Sequence, residues 1–183
     1  MDDDSDASTP CVACAVGHYS SAGLTSCIAC ESGSADLDSN PATECVACAV
    51  GKYSGSGATS CDTCAAGRAD ADSDPSTPCE ICAAGTFSPQ EATACVHCPA
   101  GYFDDDLDPS TPCDSHDSSR CPAGTHTGLG ATSCPLCDPG TADTDSDPST
   151  ECVACAVGHV SDPGAVSCTP CAQGTADLDL DPS

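Results

Sequence analysis

The stretch DSDPSTPCEICAAGTFS, residues 72–88, joins a proline-closed acidic loop to a pair of cysteines and a glycine turn. Near-copies lie at 38–54 (DSNPATECVACAVGKYS) and 145–161 (DSDPSTECVACAVGHVS). Proline fixes a bend, and glycine allows the positive φ of a tight turn, so every copy carries two turn signals around its cysteines. The stretch therefore predicts one structural link that recurs along the chain.

The composition does not provide an ordinary hydrophobic core. Twenty of the 183 residues are cysteine, Leu, Ile, Val and Phe together number only twenty, and the net charge is -26. Low hydrophobicity and self-repulsion favour an expanded chain unless cross-links hold it. The 29 acids face only Lys52, Arg68 and Arg120, which excludes nucleic-acid binding. No apolar run approaches the roughly 18 residues of a membrane span, so we expect no direct membrane insertion by this segment.

The cysteines divide the chain into repeats. Three sets of four are offset by 34 residues, and the fourth departs by five extra residues between Cys113 and Cys121. We expect both ends to be cut from a longer array, because each lies within an acidic loop. The predicted parts are the end of an acidic loop at 1–10, then repeats at 11–44, 45–78, 79–112, 113–151 with an insertion at 114–120, and 152–183, which is truncated.

Each repeat alternates a short loop of twelve residues with a long loop of fourteen. Short loops such as CAVGKYSGSGATSC, residues 48–61, combine two glycines with an alternating stretch, which predicts a compact hairpin clipped by its cysteines. The predicted fold class is small and disulfide-rich, an elongated solenoid-like rod of tandem short β-hairpins with little helix. Packed contacts between units are predicted two residues after the first glycine of each short loop, at Tyr19, Tyr53, Phe87, His126 and Val160. The equivalent place in the long loops holds Ala35, Ala69, Phe103, Ala142 and Ala176, so usually only one large side chain per repeat is available.

Two disulfide schemes fit the spacing, because sequence alone does not determine connectivity. In a sequential ladder each loop closes on itself; in an interleaved scheme the first and third, and the second and fourth, cysteines of a repeat pair. The insertion favours the ladder, whose loops keep their usual lengths, although Cys11 and Cys171 are then left over. The ladder pairs are Cys14–Cys27, Cys30–Cys45, Cys48–Cys61, Cys64–Cys79, Cys82–Cys95, Cys98–Cys113, Cys121–Cys134, Cys137–Cys152 and Cys155–Cys168.

Zinc binding and redox catalysis are the alternatives to disulfides. A four-thiolate zinc site keeps two net negative charges, which an acidic chain disfavours. The seven residues between Cys113 and Cys121 also interrupt one of the Cys-x-x-Cys pairs that such a site needs. A redox C-x-x-C pair needs a helix start or a nearby positive charge, and neither is recognisable. The histidines share no register and are predicted to be exposed residues rather than ligands: His18, His97, His116, His126 and His159.

The long loops place acids at alternate positions, as in DADSDPSTP at 70–78. Loops that wrap Ca²⁺ share this alternation, but here a proline replaces the expected glycine and no bidentate Glu follows. Solvated turns are therefore favoured, with weak calcium binding as the alternative and no cofactor required. The candidate calcium ligands are Asp36, Asp38, Asp70, Asp72, Asp74, Asp104, Asp106, Asp108, Asp143, Asp145 and Asp147.

Hydroxyl side chains beside proline suit O-linked glycans, and capping of the turns is an equally weighted alternative. N-glycosylation is excluded, because Asn40 is the only asparagine and Pro41 follows it. The candidate O-glycosylation residues are Ser8, Thr9, Ser76, Thr77, Ser110, Thr111, Ser149 and Thr150.

The segment CAVGKYSGSGATSCDTCAAG, residues 48–67, resembles ephrin-receptor-type cysteine-rich repeats, which are similar in style to tumour-necrosis-factor-receptor modules and to secreted repeat arrays of protists. The likeness extends over essentially the whole chain. It implies an extracellular or cell-surface, disulfide-stapled architecture and leaves the function open.

Regular repetition favours a secreted structural protein that forms or coats a filament, flagellar hair or cell-surface layer with further copies of itself. The alternative is a receptor-like or adhesive ectodomain that binds a protein ligand. Its binding face would lie in the fourth repeat, near Tyr102, Phe103 and His116. No catalytic constellation stands out from the repeated surface residues, so we do not expect an enzyme.

Overall fold

The structure is a computed structural model that describes residues 10–114 and 117–173. Within these residues no α-helix occurs, and one 3-10 helix lies at Asp117–Ser119. The strands there are β1 (His18–Tyr19), β2 (Ile28–Ala29), β3 (Ser34–Ala35), β4 (Val46–Ala47), β5 (Lys52–Tyr53), β6 (Asp62–Thr63), β7 (Arg68–Ala69), β8 (Glu80–Ile81), β9 (Thr86–Phe87), β10 (Val96–His97), β11 (Thr141–Ala142), β12 (Val153–Ala154), β13 (His159–Val160) and β14 (Thr169–Pro170). The predicted class, a small disulfide-rich protein of short β-hairpins with little helix, is confirmed.

The strands of the described residues pair in seven separate antiparallel hairpins, each between consecutive strands. In each hairpin, the first strand follows the glycine of a Cys-x-x-Gly turn, and the second strand is the dipeptide between two cysteines. Lys52 of β5, for example, lies opposite Thr63 of β6, and the N–H of Cys64 donates to the carbonyl of Gly51 at 2.9 Å. The structure makes this dipeptide a strand, because its flanking backbone bonds to the glycine turn.

The long loops form the same hairpin as the short loops. The sequence predicts hairpins for the short loops alone, yet β3 pairs with β4, β7 with β8, and β11 with β12. Both kinds of loop begin with Cys-x-x-Gly, and this shared turn sets the first strand. Each hairpin with its disulfide is therefore half of a predicted repeat.

Nine disulfides lie in the described part of the chain, and they join the same cysteines as the sequential ladder. The short loops close over 13 positions of sequence and the long loops over 15. Cys11 and Cys171 carry no disulfide. Because zinc needs thiolate ligands, the eighteen cysteines held in disulfides cannot supply the zinc sites considered as an alternative.

The insertion of the fourth repeat lies between Cys113, which closes the Cys98–Cys113 disulfide loop, and Arg120, which pairs with Tyr102. The Cys98–Cys113 loop keeps its separation of 15, and the extra residues follow it. The chain then rejoins the pattern, because Arg120 forms a β-bridge with Tyr102 and the N–H of Phe103 donates to the carbonyl of Ser119 at 2.9 Å. The hairpin register is thus preserved on both sides of the insertion.

Half-cystines and alanines form the buried interior. Cys30 and Cys98 are 0% exposed, and Ala35 and Ala142 are also 0% exposed. The side chains predicted to pack between units are less buried: Tyr19, Tyr53, Phe87 and His126 are half-buried, and Val160 is exposed. Phe103, at the equivalent place of a long loop, is also half-buried. Close backbone approach leaves room for alanine and cystine rather than for rings. Ala176 lies outside the described residues.

The contacts divide the chain into two compact units. The first contains the described residues up to Cys82 together with Ser88–Cys95, and the second contains Ala83–Phe87 together with the described residues from Val96 onward. Each unit contains several consecutive hairpins. The bonds between glycine turns and acidic loops are each internal to one unit.

Candidate functional site

The first aspartate of each acidic loop is buried and bonds to an earlier glycine turn. Asp70, for example, is 6% exposed, and its Oδ2 accepts the N–H of Gly51 at 3.0 Å. The separation between donor and acceptor is 19 residues in every case. The four pairs are Gly17–Asp36, Gly51–Asp70, Gly85–Asp104 and Gly124–Asp143. These inner aspartates therefore join each acidic loop to the preceding hairpin.

The glycines of these pairs lie against the backbone of a third hairpin. Gly51 has φ +78, and a Cβ built on it would lie 2.4 Å from the carbonyl oxygen of Glu91. In the same way, a Cβ on Gly85 would lie 2.1 Å from the carbonyl oxygen of Gly130. Glycine is required at these positions for two reasons: the φ is left-handed, and a side chain would collide with the backbone of the third hairpin. Each glycine thus meets two later hairpins, one through its N–H and one through its Cα.

The aspartate two residues after each inner aspartate is exposed and organises the loop itself. Asp72 accepts the N–H of Asp74 at 3.0 Å and the hydroxyl of Thr77 at 3.0 Å. These two bonds, led by the backbone N–H, lower the pKa of Asp72, and equivalent bonds lower the pKa of its counterparts. Ser73, between the two acids, has φ 55, which the side-chain bonds hold. These outer aspartates are Asp38, Asp72, Asp106 and Asp145.

The third polar position of the loop makes a further turn. Asp147 accepts both the hydroxyl and the N–H of Ser149, at 2.7 and 3.0 Å, and these bonds lower its pKa. Asn40 makes the corresponding bond to the N–H of Ala42 at 3.1 Å. An amide thus replaces the carboxylate at this position, so the turn needs an acceptor and not a charge.

These bonds account for the aspartates proposed as calcium ligands. The inner aspartates bond to glycine turns, and the other positions bond to their own loops. No group of three or more His, Cys, Asp or Glu side chains is positioned to hold a metal ion in residues 10–114 and 117–173. The exposed outer aspartates fit the solvated-turn interpretation of the acidic loops, whereas the buried inner aspartates do not. The calcium alternative has no preformed ligand set in the described residues.

The hydroxyls proposed as glycan acceptors are mostly engaged in these turns. Thr77, Thr111 and Thr150 each donate to an outer aspartate, and Ser76 donates to Asp74 at 2.6 Å. Ser149 donates to Asp147, and Ser110 bonds to Asp108 through its N–H. Ser8 and Thr9 lie outside the described residues. Turn capping, the alternative to glycosylation, therefore has direct geometric support at the described positions.

His18 and His159 occupy equivalent places, each the first residue of a strand (β1 and β13), so the predicted absence of a shared register is wrong for this pair. His18 and His159 lie near the carbonyls of Val16 and Val157, at 3.3 and 3.5 Å. His97 is exposed in β10, and His126 lines a cavity. His116 lies outside the described residues. His18, His126 and His159 are half-buried, so the prediction of exposed histidines holds for His97 and is wrong for these three.

Buried hydroxyls join neighbouring hairpins, a role that sequence reasoning missed. Ser88 is 1% exposed; its hydroxyl donates to the carbonyl of Arg68 at 3.0 Å, and its carbonyl accepts the N–H of Gly67 at 2.9 Å. Ser54 makes the same two bonds with Ser34 and Gly33. The sequence does carry a signal for this role, because a Ser or Thr lies three residues after the first glycine of every short loop.

The disulfides and the repeated hairpins define the architecture of this protein. Neither the models of known protein families nor the curated protein sequences give a match to the chain. The chain is an array of tandem cysteine-rich repeats built from disulfide-linked β-hairpins. Nine disulfides indicate an oxidising, secretory or extracellular environment. Among the described residues, no helix has the length and apolar character needed to cross a membrane.

Proposed function

We propose that the chain is an extracellular structural protein that forms or coats a filament, flagellar hair or cell-surface layer by assembly with further copies. The observation that carries the proposal is the contact between successive hairpins, which recurs with the same groups in each unit. A contact that repeats at constant spacing is extended by adding identical links and needs no new geometry. Such a chain gains length rather than a specialised site.

The recurring contact uses backbone groups and small hydroxyls. In the first unit, the N–H of Gly33 donates to the carbonyl of Ser54 at 2.9 Å, and the Ser54 hydroxyl donates to the carbonyl of Ser34 at 2.9 Å. In the second unit, Gly140 and Ser161 form the first of these bonds at 3.2 Å, and the Ser161 hydroxyl donates to Thr141 at 2.8 Å. The hydroxyl side chains of Ser54 and Ser161 therefore link neighbouring hairpins.

Exposed aliphatic side chains support assembly between copies. Val46, Ile81, Val96 and Val153 lie on second strands and are 50–63% exposed, on a chain that has few large apolar residues. Their burial against another copy would favour association, whereas the net charge of -26 opposes it. Salt screens the repulsion between exposed carboxylates, so we expect assembly to increase with ionic strength.

Electron microscopy of the unreduced protein at low and high salt tests the proposal. We expect ordered filaments or layers whose amount rises with salt, and an intact mass that contains the nine disulfides. The triple variant V46T/I81T/V153T is expected to reduce assembly while it keeps these disulfides. The matched control D62N/E80Q alters exposed positions on second strands by removing charge, and it is expected to assemble at least as readily.

Monodisperse particles at every salt concentration would contradict the filament proposal. The receptor-like alternative would then be preferred, and the search would turn to a protein ligand. Its predicted face receives no specific support, because Tyr102 and Phe103 are half-buried and bond to the end of the insertion. Loss of assembly in D62N/E80Q, but not in the aliphatic triple variant, would also contradict the proposed contact.

A further inference from the structure

A small cavity recurs in the first and fourth repeats. In the first repeat it has a volume of about 170 Å³ and is lined by Tyr19, Glu31, Ser34 and Glu44, together with Cys45. In the fourth repeat it has a volume of about 360 Å³, and the equivalent lining residues are His126, Asp138, Thr141, Glu151 and Cys152. We call these the first-repeat pocket and the fourth-repeat pocket. Each lies within a single unit.

The two pockets share the same set of chemical groups. Each has a ring, a hydroxyl and two carboxylates, and the hydroxyl already donates its proton to a backbone carbonyl. Ser34 donates to the carbonyl of Glu31 at 2.8 Å, and Thr141 donates to the carbonyl of Asp138 at 2.7 Å. The hydroxyl oxygen therefore faces a ligand as an acceptor. Carboxylates and hydroxyl lone pairs together favour a ligand that carries several donors and a positive charge.

The second repeat supplies such a group from the chain itself. Arg68 is the first residue of β7, the place that Ser34 holds in β3 and Thr141 holds in β11. Its Nη1 donates to the carbonyl of Cys79 at 3.1 Å, and Cys79 corresponds to Cys45 of the first-repeat pocket. A guanidinium thus lies at this place in one repeat. That repeat has Ala65 and Pro78 where the pockets have carboxylates.

We propose that the first-repeat and fourth-repeat pockets each bind the guanidinium of an arginine side chain from a basic protein partner. The guanidinium has five donors, no acceptor and a permanent charge, which matches the acceptors of both pockets. Its planar face also stacks on rings, such as that of Tyr19 in the first-repeat pocket. The pocket carboxylates belong to exposed residues, so solvent screening makes each site weak, with a Kd of roughly millimolar. This site is independent of filament formation.

Titration of the isotopically labelled full chain with N-acetyl-arginine amide, followed by NMR, tests the proposal. We expect saturable shifts of the backbone amide signals of Ser34 and Thr141, and no such shifts with the neutral isostere N-acetyl-citrulline amide. N-acetyl-lysine amide, with a free side-chain ammonium, is expected to bind more weakly because it lacks the planar fork. Equal binding of the citrulline or lysine compound would overturn the guanidinium assignment.

Carboxylate variants locate the site. E31Q/E44Q is expected to weaken binding at the first-repeat pocket roughly tenfold and to leave the fourth-repeat pocket unchanged. The control D62N/E80Q removes the same number of carboxylates from exposed positions of the second and third repeats, and both pockets should bind as before. If the two variants weakened binding equally, general attraction to an acidic chain would explain it and the proposed site would be wrong.

An arginine placed in the chain gives a second test that does not depend on charge removal. Ser34→Arg supplies the side chain that the second repeat already has, and it is expected to abolish binding at the first-repeat pocket alone. Arg68→Ser is the matched control, and it should create no new site because the second repeat lacks the paired carboxylates. Intact mass and unchanged amide signals elsewhere would show that each variant is folded. If Ser34→Arg still bound N-acetyl-arginine amide at the first-repeat pocket, the proposal would be contradicted.

Discussion

Asp70 and Asp72 are two residues apart in one acidic loop, and they have opposite environments. Asp70 is buried and bonds to Gly51 in the preceding hairpin, whereas Asp72 is exposed and bonds to its own loop. An aspartate therefore links two hairpins at position 70 and shapes a turn at position 72. A run of acids on a strongly charged chain is not a uniform solvated surface, because burial and reach decide the role of each carboxylate.

The largest expected effect comes from the glycine that Asp70 contacts. Gly51→Ala places a Cβ at φ +78 and 2.4 Å from the Glu91 carbonyl oxygen, so we expect a loss of about 2–4 kcal/mol in the free energy of unfolding. Chemical denaturation of the oxidised protein measures it. Gly55→Ala is the control, because Gly55 has no left-handed φ and its Cβ would meet nothing within 4 Å. Equal stability of the two variants would contradict the proposed collision.

The next largest effect separates the two aspartates directly. Asp70→Ala leaves the N–H of Gly51 buried without its acceptor, which costs about 1–3 kcal/mol. Asp72→Ala removes an exposed acceptor whose donors water can satisfy, so its effect on global unfolding should be smaller. Hydrogen exchange of the Gly51 amide should accelerate in Asp70→Ala alone. Acceleration of that amide by both variants would mean that the loop acts as a single unit.

The outer aspartates predict a local dependence on pH. The N–H of Asp74 and the hydroxyl of Thr77 lower the pKa of Asp72 in the folded protein. The bonds are therefore fully present above the ordinary carboxyl pKa of about 4 and are lost as the pH falls through the lowered folded value. NMR should show the Asp74 amide signal titrating below that range. In Asp72→Asn the signal should not titrate there, and a midpoint above about 4 in the native chain would contradict the assignment.

The smallest expected effect is the loss of one hydroxyl. Thr77→Val removes the second donor to Asp72 and keeps the N–H of Asp74, so the pKa of Asp72 should rise toward its ordinary value without reaching it. An NMR titration of the Asp72 carboxyl measures the shift. The matched variant Thr59→Val changes a threonine of the short loop outside the acidic loop. It should leave the pKa of Asp72 unchanged, and an equal rise in both variants would contradict the role of Thr77.

The sequence predicted the hairpins of the short loops but not those of the long loops. Four of the five short loops have a second glycine before the closing cysteine, which is a local turn signal, and the loop at 82–95 has Glu91 in its place. Pro and Asp in the long loops indicate a bend without indicating strand pairing. The burial of Ala69 rather than Tyr53 was also missed. Hydrophobicity ranks tyrosine as the better core residue, but close contact between backbones admits only small side chains.

The sequence by itself determined the period of the chain, the preference for a disulfide ladder and the positions of the turns. These features depend on residues close together along the chain, and the five-residue insertion made the ladder the simpler scheme. Only the tertiary structure decided which aspartates face inward, which glycines touch another backbone and where two cavities collect equivalent groups. These outcomes depend on contacts between hairpins, such as that of Gly51 with Asp70 19 residues later, and the composition of a local stretch does not reveal which groups such hairpins bring together.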